Sequence, residues 1–180
     1  MHKKKTFDES ILTKPLELGY ICGLLASDGY INEKFEYICL ALNKQDENTV
    51  KYFGELILKE DTFDINYVKN LARITVYSKI FYNYLSSIGI TPRKSKTLNI
   101  QFNDSFDELS FLLGAIDGDG YVSNREIRIY TASEVFANQL SEKFKGRKYW
   151  DNESVFIVSW KGIHAYNLSK LLPLDYSRMN

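Results

Sequence analysis

The stretches LELGYICGLLASDGY (residues 16–30) and LSFLLGAIDGDGY (residues 109–121) carry the same pattern twice in one chain. Each is an apolar run with helical spacing that ends in Asp-Gly-Tyr. A small residue occupies every fourth position: Gly19, Gly23 and Ser27 in the first run, and Ser110, Gly114 and Gly118 in the second. Because positions i, i+4 and i+8 lie on one helix face, another backbone can pack closely along each strip. The pattern predicts two helices packed against each other through these strips.

The predicted packing places Asp28 and Asp119 side by side at the C-terminal ends of the two helices. A carboxylate is poorly placed there because the helix macrodipole is negative at that end, and two neighbouring carboxylates also repel each other. A divalent cation of the Mg²⁺ type prefers oxygen ligands and would relieve both effects. The two aspartates are therefore the first candidates for a metal site.

The overall composition indicates a chain with a real hydrophobic core and no net charge. Hydrophobic residues make up 44% of the 180, enough for one compact domain or two small halves. Lys and Arg together number 23, and so do Asp and Glu. This balance argues against a strongly basic nucleic-acid binder, although local patches matter more than the sum. If nucleic acid is bound, we expect weak non-specific binding and a mild salt dependence.

The cysteines and the N-terminus bear on the cellular compartment. Cys22 and Cys39 form no CxxC motif and have no nearby histidine, so we expect two small buried residues of a reducing compartment. The N-terminal MHKKKTFDES is basic without a following apolar segment, so we expect a solvated terminus or a disordered basic arm, not a secretory signal. No apolar run approaches the length of a membrane span. We therefore expect an intracellular protein, in the cytoplasm, the nucleoid or an organelle.

The repeat extends beyond the two helices, because each Asp-Gly is followed by a hairpin, a helix, a second hairpin and a second helix. In the first half these are YINEKFEYICLALNK, QDENTVKYFGELILKE, FDINYV with LARITVY, and SKIFYNYLSSIG, which ends at a Gly89 C-cap. In the second half they are YVSNREIRIYT, ASEVFANQLSEKFKG with a Thr131 or Ser133 cap, RKYWDNESVFIVSW with a turn at Asp151-Asn152, and KGIHAYNLSKLL. Self-similarity at this period indicates a duplicated fold.

The paired runs resemble the signature of the LAGLIDADG homing endonucleases of the single-chain, two-motif type. Residues 21–29 and 112–120 each cover all nine signature positions. The sixth position is Ala26 in the first copy, where the family commonly has aspartate, and Asp117 in the second. The eighth position, which matters chemically, is aspartate in both copies. The order of hairpins and helices extends the resemblance over nearly the whole chain.

The resemblance implies an α+β fold of two pseudo-symmetric αββαββα halves, residues 1–90 and 106–180, joined by a linker at 91–105. The signature helices form the interface, and each half contributes a saddle-shaped, four-stranded antiparallel sheet that lies in the DNA major groove. It further implies a site-specific double-stranded DNA endonuclease. Asp28 and Asp119 would bind Mg²⁺, for which Mn²⁺ would substitute, and direct hydrolysis of one phosphodiester per strand across the minor groove, leaving short 3′ overhangs.

The resemblance also implies the partners of the protein. A monomer would bind double-stranded DNA with a long asymmetric target site, and no membrane. Such proteins are often encoded within introns or inteins. Intron RNA is therefore a further partner, and splicing assistance a further activity, that the resemblance allows.

Family members often place a polar residue and a lysine at the end of the second strand, near the aspartate. Residues 42–45 read LNKQ at that place. Asn43 would hydrogen-bond the attacking water, and Lys44 would stabilise the charge that develops on the phosphate. The alternative is a helix-capping loop with a solvated lysine. Because residues 130–132 read YTA at the matching place, without a lysine, we expect the two strands to be cleaved unequally.

A lysine near the linker also occurs in some members of the family. Lys94 or Lys96 would supply it here, and we assign Lys96 to the candidate catalytic set. The alternative is that the basic linker is simply solvated.

Base contacts are expected from the sheet faces opposite the helices, because the alternation of apolar residues fixes the inward side chains. The outward side chains assigned to DNA are Tyr37, Arg73, Thr75, Tyr77, Arg128 and Tyr130, and the hairpin tips add Lys34, Lys69 and Arg125. Arginine can read guanine through two hydrogen bonds and threonine can contact the thymine methyl group, whereas phosphate contacts add affinity without sequence information.

The last strand is the least regular of the predicted strands. We expect Val155 and Ile157 to point inward and Phe156, Val158 and Trp160 to point outward. These large apolar side chains are unusual for a face that meets DNA. Either the C-terminus covers them, or the register is shifted by one residue, which would reverse the face.

Three functions compete for this sequence. A DNA endonuclease uses both eighth-position aspartates. A non-cleaving nucleic-acid-binding relative, such as an intron-splicing cofactor (maturase) or a regulator, has the same scaffold but no chemical need for both. An α+β protein unrelated to nucleic acid would explain the small-residue strips but not the paired Asp-Gly ends. Because both aspartates are present, we favour the endonuclease.

Overall fold

The computed structural model describes residues 6–60, 62–151 and 154–172. After a 3₁₀ helix at Glu9–Thr13, the first half consists of α1 (Pro15–Ser27), β1 (Gly29–Asn32), β2 (Tyr37–Asn43), α2 (Glu47–Ile57), β3 (Asn66–Val68), β4 (Leu71–Tyr77) and α3 (Lys79–Ser87). The second half consists of α4 (Glu108–Asp119), β5 (Gly120–Ser123), β6 (Glu126–Thr131), α5 (Glu134–Phe144), β7 (Arg147–Trp150), β8 (Phe156–Lys161) and α6 (Ile163–Leu171). Short 3₁₀ helices lie at Lys44–Asp46 and Lys94–Lys96.

The two halves have the same sheet topology. The strand order is β1-β2-β4-β3 in the first sheet and β5-β6-β8-β7 in the second, and every neighbouring pair is antiparallel. Gly29 pairs with Leu40 in the first hairpin, as Gly120 pairs with Ile129 in the second. The predicted α+β fold of two αββαββα repeats is therefore confirmed, while the exact domain boundaries stay a prediction.

Helices α1 and α4 form the centre of the molecule and pack directly on each other. A Cβ added at Gly23 would overlap the carbonyl oxygen of Phe111, and one added at Gly114 would overlap the carbonyl oxygen of Tyr20. The small-residue strips thus bring two backbones into contact, as predicted. Both helices are apolar nearly all round, as expected of helices covered on every side.

The inner faces of the sheets cover the central helices. Alternate residues along β2 and β4 are buried against the core: Ile38, Leu40, Leu42, Ala72, Ile74 and Val76. In β6, Ile127 and Ile129 are buried in the same way. The strand faces predicted for these three strands are confirmed, and the remaining side chains of each strand lie on the opposite, outer face of the sheet.

The predicted face of β8 is wrong, and the shift by one residue is what the structure shows. Val158 pairs with Ile129, and Trp160 pairs with Ile127, so both point into the core. Directly paired residues share a sheet face. The Trp160 indole also donates a hydrogen bond to the carbonyl oxygen of Phe144 (2.7 Å), which gives its N–H a partner inside.

Several local predictions are also confirmed. Gly89 has a positive φ of 90° just after α3, and Ser133 caps α5 by accepting a hydrogen bond from the N–H of Phe136 (3.2 Å). Cys22 and Cys39 are buried and unbridged. Among the described residues, no helix has the length and apolarity that a membrane crossing requires. The proposed basic arm at 1–5, and Asn152 of the predicted turn, lie outside the described residues.

Candidate functional site

The site begins with two carboxylates at the adjoining ends of the central helices. Asp28 is the C-cap residue of α1, and Asp119 is the last residue of α4. A Cβ placed on Gly118 would lie only 3.1 Å from Oδ2 of Asp28, so the glycine makes room for this carboxylate beside α4. The packing predicted from the small-residue strips therefore brings the two aspartates together.

A buried lysine from the linker reaches the same place. Lys94 is only 7% exposed, and its Nζ donates hydrogen bonds to the carbonyl oxygens of Ser27 (3.2 Å) and Gly29 (2.7 Å). Carbonyl oxygens at a helix C-terminus carry partial negative charge and attract a cation. Of the two linker lysines, Lys94 reaches the helix ends, whereas the assigned Lys96 has an exposed side chain. A catalytic role for either lysine stays a prediction.

The backbone before the lysine explains which side chain turns inward. Arg93 adopts a left-handed conformation (φ 59°), and the 3₁₀ helix Lys94–Lys96 follows directly. A residue other than glycine rarely adopts this conformation. Because the turn aims Lys94 at the helix ends, Lys96 on the same short helix faces solvent.

The charges at the helix ends shift one another's titration. Burial lowers the pKa of the Lys94 amine, and the neighbouring charges of Asp119 and Asp28 oppose that shift. Asp119 is exposed at the mouth of a cleft, yet the surrounding protein displaces enough water to raise the pKa of its carboxyl above 3.8, against the opposing effect of Lys94. Burial therefore disfavours the charged form of both Lys94 and Asp119, and each charge offsets part of that cost for the other.

The donor set fits a divalent cation that completes its shell with other ligands. Among residues 6–60, 62–151 and 154–172, no group of three or more His, Cys, Asp or Glu side chains comes together as a metal site. Mg²⁺ does not need one, because it is usually held by one or two carboxylates with waters and substrate phosphates. Asp28 and Asp119 supply such a pair.

Asp119 lines a cleft that opens in the second half. Lys94 and Ser95 line the cleft beside it, together with Tyr130, Thr131 and Val155. The cleft therefore joins the helix ends to the end of β6. This arrangement leaves the carboxylate of Asp119 accessible from outside.

Asn43 and Lys44 lie at the exposed end of β2. Asn43 Oδ1 accepts a hydrogen bond from the N–H of Gln45 (3.2 Å), which is a capping contact. The ammonium of Lys44 lies 5.1 Å from the ring centroid of Tyr67. By the strand registers, Ala132 occupies the place of Asn43 in the second half. The capping contact is present, and the catalytic role of both residues stays a prediction.

The residues assigned to DNA lie where the strand patterns placed them. Tyr37, Arg73, Thr75, Tyr77, Arg128 and Tyr130 belong to the outer sheet faces, and Lys34, Lys69 and Arg125 are exposed at hairpin tips. The corrected β8 adds residues that the sequence reasoning missed. Ser159 and Lys161 share the outer face with Arg128, and the pairing of β7 brings Arg147 beside them.

The comparisons with known proteins agree with this architecture. A family model described as a LAGLIDADG-like domain matches residues 107–145, and no curated protein matches the chain. Solved structures with the same fold include variants of the homing endonuclease I-DmoI, with 11% identity, 89% of this chain and 96% of that chain covered, and a TM-score of 0.63.

Two further similar structures contain DNA. An I-DmoI variant in complex with its target DNA in the presence of magnesium has 13% identity, a TM-score of 0.62, and coverage of 93% of this chain and 98% of that chain. I-SmaMI bound to an uncleaved DNA target with calcium ions has 11% identity, a TM-score of 0.55, and coverage of 83% and 80%. A LAGLIDADG-like domain model thus matches part of the second half, and the whole chain has the same fold as these LAGLIDADG homing endonucleases.

Proposed function

We propose that the protein is a site-specific double-stranded DNA endonuclease that depends on a divalent cation, Mg²⁺ with Mn²⁺ as a substitute. It hydrolyses one phosphodiester on each strand across the minor groove and leaves short 3′ overhangs. The observation that carries the proposal is the meeting of Asp28, Asp119 and the buried Lys94 at the ends of two packed helices. The DNA complexes of similar folds support it.

The residues of the site divide the chemistry between them. Asp28 and Asp119 would hold the cation, which would supply activation of a water and stabilisation of the leaving oxyanion. The carboxylate of Asp119 lines the cleft beside β6, so a cation held there would be accessible from the cleft. Lys94 holds a positive charge at a fixed position because two backbone carbonyl groups bind its Nζ, and that charge stabilises developing negative charge on the phosphate.

The periphery of the site differs between the halves. Asn43 orients the attacking water and Lys44 stabilises the phosphate on the first side only, since Ala132 and Ser133 stand at the matching positions. We therefore expect the two strands to be cleaved at unequal rates. One polypeptide carries both repeats, which supports action as a monomer on an asymmetric site. Intron RNA as a partner and an intracellular location complete the proposal.

Incubation of a randomised duplex library with the purified protein tests the proposed function. We expect Mg²⁺ to yield enriched cut ends of one long sequence, and Ca²⁺ or the Asp28→Asn/Asp119→Asn double variant to yield none. Retention of selected DNA without cutting in any divalent metal would contradict the endonuclease. That result would favour the non-cleaving relative with the same scaffold.

Replacement of the buried linker lysine is expected to slow cleavage strongly. Lys94→Met keeps much of the side-chain volume but removes the charge, and loss of one such stabilising group costs roughly 10²–10³-fold in rate. Strand-resolved cleavage of the selected target measures the effect. The matched control is Lys96→Met, two residues away and exposed, which we expect to cleave like the wild type. Equal rates for all three proteins would refute the role of Lys94.

Divalent cation is expected to raise the Tm of the wild type, because a ligand that binds only the folded state stabilises it. The carboxyl of Asp119 must be ionised to bind a cation. Its pKa is raised above 3.8, so the Tm increase should disappear as the pH falls, at a higher pH than for an ordinary aspartate. Thermal melting with and without Mg²⁺ measures this, with exposed Asp104→Asn as control. An equal increase in Asp119→Asn would contradict the metal site.

A further inference from the structure

The outer faces of the two sheets differ sharply in chemistry. The outer face of the second sheet carries Arg128, Arg147 and Lys161, whereas Arg73 is the one basic residue in the four strands of the first. All eight strands lie within the described residues. Because the two halves share one strand topology, the difference in charge between the sheets comes from their side chains and not from their backbone fold.

The basic side chains of the second sheet are aligned in a row across three strands. Arg128 of β6 pairs with Ser159 of β8, which in turn pairs with Arg147 of β7. Directly paired residues share one face, so the two arginines flank the serine on the outer surface. A shallow pocket there is lined by Arg147, Tyr149, Ser159 and Lys161.

Arg128 is held in place before any ligand arrives. Its Nη2 lies 2.5 Å from Oε2 of Glu126, and the other carboxylate oxygen of Glu126 lies 3.2 Å from Nζ of Lys161. On the other side, the guanidinium lies 5.6 Å from the ring centroid of Tyr121. A guanidinium fixed on two sides loses little conformational freedom when it forms further hydrogen bonds.

Two buried polar atoms in the row have no hydrogen-bond partner within the described part of the chain. Ser159 is only 3% exposed and lines the pocket, yet its Oγ has no hydrogen-bond partner within the described part of the chain. Nε of Arg128 is also buried and has no hydrogen-bond partner among the described residues. Buried polar atoms are normally satisfied, so such a pair points to a bound water or to a ligand group with acceptors.

The first sheet presents a different surface at the corresponding place. Tyr30, Tyr37 and Tyr77 form a row of rings with centroid distances of 5.9 and 5.4 Å. Ala41 and Thr75 lie on the same outer face of β2 and β4. Methyl groups and rings of this kind contact the C5-methyl of thymine, and Arg73, which pairs with Ala41, supplies the one arginine fork on this face.

We propose that the second sheet is a guanine-reading surface and that the first sheet accepts an A·T-rich half-site. Guanine presents two acceptors, N7 and O6, in the major groove, and an arginine fork matches both. Arg128 is the specificity-determining residue, Glu126 is its positioning residue, and Ser159 with Arg147 completes the donor row. This inference rests on the proposed function, because it requires that the outer faces meet duplex DNA.

The test is selection of a randomised duplex library in Ca²⁺, which separates binding from cleavage, with the full-length protein. We expect wild-type selection to retain guanine at a fixed position in one half-site. Arg128→Lys keeps the charge but loses the fork and should lower discrimination at that position roughly tenfold or more, with affinity for unselected DNA nearly unchanged. Glu126→Gln should weaken the same preference while Arg128 is intact.

The matched control is Arg73→Lys, the same change on the first sheet, which should leave this guanine position unaltered. Selection of DNA without a guanine preference, or a preference that survives in Arg128→Lys, would overturn the inference and leave the endonuclease standing. Failure of the wild type to select any sequence would overturn the proposed function and this inference together.

Discussion

Asp28→Asn and Asp119→Asn are each expected to abolish double-strand cleavage while DNA binding stays nearly intact. The amide keeps the shape of the carboxylate, but it removes the negative charge that holds a divalent cation. Loss of that cation withdraws both activation of water and stabilisation of the leaving group, so the expected fall in rate is on the order of 10³-fold or more. Cleavage and gel-shift assays on the selected target measure the two properties separately.

The exposed Asp104→Asn is the control for this pair, because its carboxylate lies in the linker surface away from the helix ends. It should cleave at the wild-type rate. Full cleavage by either Asp28→Asn or Asp119→Asn would refute the catalytic assignment. Loss of binding together with cleavage would instead assign the aspartates to folding.

Gly23→Leu and Gly114→Leu are expected to destabilise the protein strongly. At both positions even a Cβ would overlap a backbone carbonyl oxygen of the opposite helix, and a backbone cannot rotate away as a side chain can. Overpacking of this kind costs about 3 kcal/mol or more, which corresponds to a Tm lower by roughly 6–12 °C for a chain of this size. Gly23→Ala should show a smaller loss of the same sign.

The control for the glycine variants is Asn83→Leu, which adds the same side chain at an exposed position of α3. Its effect should stay within about 0.5 kcal/mol, as for most surface substitutions. Thermal melting followed by circular dichroism measures all four variants. An unchanged Tm for Gly23→Leu would contradict the close packing of α1 on α4, and with it the placement of the two aspartates.

The central helices and most strand faces could be predicted because their signals are local and repeated. Gly19, Gly23 and Ser27 recur at every fourth position and define one face of α1. The second repeat shows the same spacing in α4, which supports the same prediction independently. Alternation along β2 and β4 likewise decides which side chains are buried. Neither signal depends on contacts between distant residues, so both can be recognised in a single sequence.

The face of β8 was predicted wrongly because half of the run gives no alternation. Residues 155–158 read VFIV and are apolar at every position, whereas only Ser159 and Lys161 at the end of the strand alternate with apolar neighbours. The pairing of Trp160 with Ile127 shows which side chains point inward. Because of this error, the predicted outer face did not include Ser159, Lys161 and Arg147.

The choice between Lys94 and Lys96 depends on backbone geometry that the residue types do not encode. Arg93 lies in the left-handed region and sets the direction of the following 3₁₀ helix. From sequence, that conformation is usually expected only at glycine or asparagine, so an arginine gives no indication of it. A basic linker near a pair of aspartates indicated that a lysine was available. Which lysine is buried follows from the three-dimensional path of the chain.

Mapping of both strand ends after reaction of the selected duplex with Mg²⁺ shows directly whether the helix-end aspartates cut DNA. We expect one cut on each strand, displaced across the minor groove to leave short 3′ overhangs, with unequal rates for the two strands. We expect no cut by the Asp28→Asn/Asp119→Asn double variant under the same conditions. Cleavage by that double variant at the wild-type positions would contradict the claim that these two helix-end carboxylates perform the chemistry.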